Sequence, residues 1–208
     1  MRIDIGNVPT VLCGCALLCA FAPAMVAHFR LLEPASWLQE APNGDPQWLG
    51  PCGGSSADPG KPSGATTSVQ GGGKLHIRIR ETAFHTGFYR VALAVNSRDE
   101  FPKDPEARTE SSANGERSVS GAIQYPPSPP VLADGLFQHI SAFDKDQEAD
   151  VLIPNINCSK CTLQVIEFMA EHGKNPDGDY SYHHCAAVNI TADAAKPLDT
   201  RWPERTTR

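Results

Sequence analysis

Lys74-Leu75-His76-Ile77-Arg78-Ile79-Arg80 alternates apolar and polar residues without a break. Leu75, Ile77 and Ile79 fall on one face, His76, Arg78 and Arg80 on the other. This period of two marks a half-buried β-strand. The apolar, aromatic run 88–95 reads as a core strand, and further strands are expected at 137–143, 150–153, 162–169 and 186–191. Turn-rich stretches at 51–64, 71–73 and 125–130 separate them, and no segment carries a helical period. Short strands between frequent breakers predict an all-β chain folded as a two-sheet sandwich. The 17 Gly and 18 Pro among 208 residues also disfavour a helix bundle, and a hydrophobic content of 40% excludes wholesale disorder.

Residues 11–27 are apolar and uncharged, too short a run for a membrane span, and read as the core of a signal peptide covering 1–27. Two cleavage points compete. Ala22-Pro23-Ala24 is the tidier small-x-small site; cutting after Ala27 makes His28 the first residue. A lipoprotein reading at Leu12-Cys13-Gly14-Cys15 lacks an apolar run before it. Export implies a secreted or periplasmic protein with no membrane attachment once the signal is removed. Residues 28–192 then form one domain, large enough to bury ~70% of its unfolded surface. The segment 193–208 is a polar tail, with Trp202 its one aromatic residue, and is expected to be loose. The net charge of −6 disfavours a nucleic-acid partner and is compatible with an uncharged glycan. The chain is expected to be a monomer.

Cys13, Cys15 and Cys19 leave with the signal. Cys52, Cys158, Cys161 and Cys185 remain, and four cysteines in an exported chain imply two disulfides with three possible pairings. The competing reading joins Cys158-x-x-Cys161 to Tyr182-His183-His184-Cys185 as a zinc site, which would leave Cys52 unpaired.

Seven histidines remain to be sorted. His76 faces outward between two arginines, and His139 and His172 have no companion in sequence; structural or solvated roles are expected for all three. His183 and His184 are adjacent on an extended segment and point to opposite faces, so at most one serves a given site. His28, as a mature N-terminus, offers two nitrogens from one residue. Its α-amine has an ordinary pKa near 8 and yields its proton to a metal far more readily than a lysine does. His85 lies in the short link between two expected strands, where a scaffold presents functional side chains, and Gly87 after it permits close approach of another group. Three nitrogens from two residues make an open site that suits Cu(II) best among divalent first-row ions.

Four stretches together resemble the lytic polysaccharide monooxygenase superfamily (chitin-binding type-4 domains), especially its bacterial monooxygenase-like members. They are His28-Phe29-Arg30-Leu31-Leu32-x-Pro34; Gly50-Pro51-Cys52-Gly53-Gly54; His85-x-Gly87-Phe88-Tyr89-Arg90; and Cys158-x-x-Cys161-Thr162-Leu163-Gln164 followed by Tyr182-His183-His184-Cys185-Ala186-Ala187-Val188. The resemblance spans about 28–191 and implies an immunoglobulin- or fibronectin-like sandwich with one copper ion. His28 and His85 would be its histidine-brace ligands and Tyr182 the aromatic residue beside the metal, which favours cleavage after Ala27. It further implies O2 or H2O2 as co-substrate, an external electron donor, and oxidative cleavage of insoluble chitin or cellulose. Glu167 or Gln164 would be the polar residue near the copper, and the pairs Cys158–Cys161 and Cys52–Cys185 are expected. The chain departs from many relatives at Ala187, where they carry Asp, at His183, where Tyr is common, and at Phe29-Arg30. The alternative is a non-catalytic copper- or glycan-binding protein on the same scaffold. Exposed aromatics beside His28, with Trp37, Trp48 and Phe29 as candidates, would favour the enzyme.

Overall fold

A computed structural model describes residues 28–204. The expected signal peptide and its cleavage points lie outside them. The described residues form ten strands: β1 (His28–Glu33), β2 (Thr67–Gln70), β3 (Lys74–Ala83), β4 (Gly87–Ala94), β5 (Ala107–Ser112), β6 (Gly115–Gly121), β7 (Val131–His139), β8 (Gln147–Leu152), β9 (Cys158–Met169) and β10 (Ser181–Thr191). One sheet has the order β1-β3-β8, the second β2-β10-β9-β4-β7, and β5-β6 is a separate hairpin. Every described pairing is antiparallel except that of β10 with β2.

The two larger sheets pack face to face as an all-β sandwich. Leu75, Ile77 and Ile79 on β3 point inward, as their alternation requires, and join Phe29 and Leu31 of β1. From the opposite sheet come Tyr89, Val91 and Leu93 of β4, Leu163 and Val165 of β9, and Tyr182, Ala186 and Val188 of β10. The outer face of β4 and β9 carries a smaller cluster, Phe88, Phe168, Ala170 and Tyr180. The β5-β6 hairpin covers part of it: a Cβ on Gly121 would lie 2.9 Å from the Phe168 ring, and Ser118 Oγ donates to Met169 O at 2.6 Å.

Two expectations are corrected. The strand expected at 137–143 runs instead over Val131–His139; Gly135 and Phe137 have positive φ there, +67° and 50°, which breaks the alternation that would have revealed it. The segment after Ala192 is not loose over its described part. Trp202 is buried in the main core, and Asn155 Nδ2 donates to the carbonyls of Asp193, Lys196 and Pro197 at 2.9–3.1 Å.

All four described cysteines are oxidised. Cys52 pairs with Cys185, joining the long loop before β2 to β10, and Cys158 pairs with Cys161 at the start of β9. The pairing removes the thiolates that the zinc reading needs. It also marks an oxidising compartment. No helix among the described residues is long and apolar enough to cross a membrane.

Candidate functional site

One end of the sandwich gathers the start of β1, the end of β3, the start of β4 and the start of β10. His28 pairs with Ala83, so it stands beside the link 84–86 that carries His85. Gly87 opens β4 and pairs with both Met169 and His139. A Cβ there would run into the Phe168 carbonyl oxygen, so glycine is what lets the strand close on β9 directly after His85. The His28 ring stacks on Tyr182 with centroids 5.1 Å apart and planes 27° from parallel. Asp45 Oδ1 lies 3.3 Å from His28 Nε2 and accepts from Trp48 Nε1 at 3.1 Å. Trp48 in turn leans on Tyr182 at 6.2 Å. A cavity of about 280 Å³ opens beside Asp45, lined by Pro46, Trp48, Ser55, Asp58 and Asp177.

His85 meets His172 edge to face, with ring centroids 4.6 Å apart. His172 sits in the turn after β9, which the hairpin holds: Ser118 N donates to His172 O at 2.9 Å and His172 N donates to Ser118 Oγ at 3.2 Å. Burial, then the charge of His85 and more weakly that of His28, pushes the His172 imidazole down to about 4. The pairing of His28 with Ala83 and the ring contact of His85 with His172 put the three histidines at this end of the molecule. His172, which has no companion in sequence, gains one in the fold. Nothing in sequence spacing links it to His85, 87 residues earlier; the link is made by the β9 turn and the hairpin.

Beneath the histidines runs a cross-strand row. Glu167 on β9 is opposite Tyr89 on β4 and Tyr182 on β10, and all three side chains are fully buried. Burial, aided by the Tyr182 environment of Glu167 and Asp45, raises the Tyr182 phenol well above its usual range. Burial likewise holds the Glu167 carboxyl well above the ordinary carboxylate range, with the Glu81 charge adding to it. Of the two candidates for the polar residue, only Glu167 lies on this row. Gln164 points to the other face, where Nε2 donates to Pro51 O at 2.8 Å.

His183 and His184 do point apart. His183 Nε2 is 3.0 Å from Asp104. His184 Nε2 donates to Phe29 O at 3.0 Å and its Nδ1 is 3.2 Å from Glu40. Both are buried in packing. His76 pairs with Asp150 at the surface, as an outward histidine can. His139 is neither isolated nor solvated. Its Nε2 is 2.9 Å from Glu81, and one ligand atom each of Glu81, His139 and Glu167 lie within 4.8 Å of one another.

No protein-family model matches the chain, and no curated protein is significantly similar to it in sequence. The site is therefore read from its own chemistry.

Proposed function

We propose that this is an exported histidine-brace copper protein. His28 and His85 are the copper ligands and Tyr182 the aromatic wall, and the activity is oxidative cleavage of glycosidic bonds in chitin or cellulose. The convergence of His28, His85 and His172 with Tyr182 at one end of the sandwich carries this reading.

The donor set suits copper. The Asp45 carboxylate stands 3.3 Å from His28 Nε2, on the side of the ring away from Nδ1, the nitrogen that can chelate together with the α-amine. Once the chain begins at His28, its α-amine and Nδ1 belong to one residue and chelate together, and His85 adds a third nitrogen. Imidazole and amine nitrogens bind Cu(II) more tightly than other first-row divalent ions. Copper, when bound, supplies one-electron chemistry toward O2 or H2O2 after reduction by an external donor. The chain's own residues orient and shield. Tyr182 closes the face beneath His28 and excludes water from it. Glu167 lies behind Tyr182 on the same cross-strand row. The cavity at Trp48 gives a sugar ring an apolar wall and carboxylate acceptors next to His28.

One observation favours the second reading, a copper-binding protein that does not cut polymer. Phe29 is wholly in the core, Trp48 is committed to Asp45 and Tyr182, and Trp37 is covered by Arg98, 3.9 Å above its ring. None of the three forms an exposed aromatic face.

The test has two arms. Protein beginning at His28 should bind one Cu(II). One extra residue before His28, or His85→Ala, should weaken binding about tenfold or more. Equal binding by the extended form would overturn the brace. The reduced copper protein, given O2 or H2O2, should release oxidised oligosaccharides from chitin or cellulose, and His85→Ala should abolish the release. Tight copper binding with no product on either polymer would leave the copper-binding reading in place of the enzyme.

A further inference from the structure

A second group of ligand atoms lies deeper than the brace, and its chemistry does not depend on it. His139 ends β7, Glu81 lies near the end of β3 and Glu167 near the end of β9. The side chains of Glu81 and His139 are 5% and 4% exposed, and Glu167 is 0% exposed. Phe84, Phe143 and Tyr89 have their rings around the imidazole, at 5.9, 4.1 and 6.3 Å.

The hydrogen bonds orient this group. His139 Nδ1 is 2.8 Å from the carbonyl of Phe137. A carbonyl only accepts, so Nδ1 carries a hydrogen, and in a neutral ring Nε2 is then a lone pair. Nε2 faces Glu81 Oε1 at 2.9 Å, a contact that is satisfied either by a proton on Nε2 or by a metal ion that both atoms bind. The other oxygen of Glu81 accepts from Phe143 N at 3.1 Å. One Glu167 oxygen lies within 4.8 Å of the ligand atoms of both partners; neither of its oxygens meets strict hydrogen-bond geometry, and the Tyr89 hydroxyl is the donor beside it. Buried carboxylate oxygens without donors are costly. An imidazole anchored through its far nitrogen to a backbone carbonyl, next to a carboxylate anchored by a backbone N–H, is the usual support of metal ligands.

We propose that Glu81, His139 and Glu167 bind one divalent first-row cation, with Zn(II) the best match. One neutral imidazole and two carboxylates carry a charge of −2, which a divalent ion cancels. The set has no thiolate, which disfavours Cu(I), and its imidazole disfavours Mg(II) and Ca(II). The aromatic enclosure means that the ion enters as the chain folds, and that chelators remove it slowly afterwards.

The experiment uses the secreted chain carrying His85→Ala, which disables the brace, refolded from denaturant with Zn(II) or with a chelator and then desalted. Zinc-refolded protein should retain about one zinc per chain and unfold at a higher temperature than the chelator-refolded form. His139→Gln and Glu167→Gln, the latter keeping the shape of the side chain, should each lower zinc affinity roughly 10–100-fold, with an unchanged β-type circular dichroism spectrum. Co(II) refolded into the same protein should show d–d absorption bands. Retention of zinc by both variants would overturn the proposal. So would a parent protein that holds no zinc, melts alike in both preparations and gives no cobalt bands; a proton, shared between Glu81 and His139, would then hold the cluster together.

Discussion

Burial pushes the His184 imidazole down to about 4, against the opposing pull of its bond to Phe29 O. Its ring is 1% exposed and packs edge-on to Phe29 at 4.6 Å. A histidine that stays neutral in the fold takes a proton near pH 6.5 when unfolded. The unfolded chain therefore binds more protons between about pH 6.5 and 4, and stability falls as pH drops through that window. His184 alone accounts for at most roughly 3 kcal/mol, and His172 acts in the same direction. Denaturant titrations at pH 7 and pH 4 should show the loss, and His184→Gln should flatten the slope; an unchanged slope would remove His184 as its source. Tyr182 gives a second prediction at this scale. Its hydroxyl is buried with no hydrogen-bond partner among the described residues. Tyr182→Phe should leave copper bound, because the ring still fills the space under His28. It should also raise unfolding free energy by about 1 kcal/mol, by removing an unsatisfied polar atom.

Strands and cross-links differ in what they contribute and in how plainly the chain announces them. Cys52 and Cys185 are separated by 133 residues, Cys158 and Cys161 by 3. On chain entropy alone the long link should stabilise by about 5 kcal/mol and the short one by about 2. Paired alanine substitutions compared by denaturant unfolding should preserve that order, and thiol titration of denatured, unreduced protein starting at His28 should find no free cysteine. β3 was readable because one face of it meets water, so polarity alternates. β5 and β6 were not, because the hairpin buries only Ser118 and carries few apolar residues, so no apolar period exists to detect. β1 was too short, and β7 is irregular at Gly135 and Phe137. The same contrast holds at the site. His28, His85 and Tyr182 stand in recognisable local motifs. Glu81 and His139 are 58 residues apart and meet only because β3 and β7 end at the same edge of the sandwich, so no spacing could signal them.

At the level of the whole molecule, the segment after β10 belongs to the fold. Trp202 lies among the core residues near Val131 and Leu93, at the end of β4 opposite to the one beside His28. Trp202→Ala should cost about 3 kcal/mol by leaving a cavity there, while copper affinity at the opposite end stays as it was; thermal melts and copper titration on one preparation would separate the two effects. The place of β10 matters more widely. It is the last strand, yet it lies inside the five-stranded sheet between β9 and β2, supplies Tyr182 to the site and holds the partner of Cys52. Every segment made earlier must therefore wait for residues near the carboxyl end before the core can close. The core closes only once β10 has been made, through long-range pairings that form slowly, and a chain cut short before β10 would leave β9, β2 and the core face of that sheet without their partner.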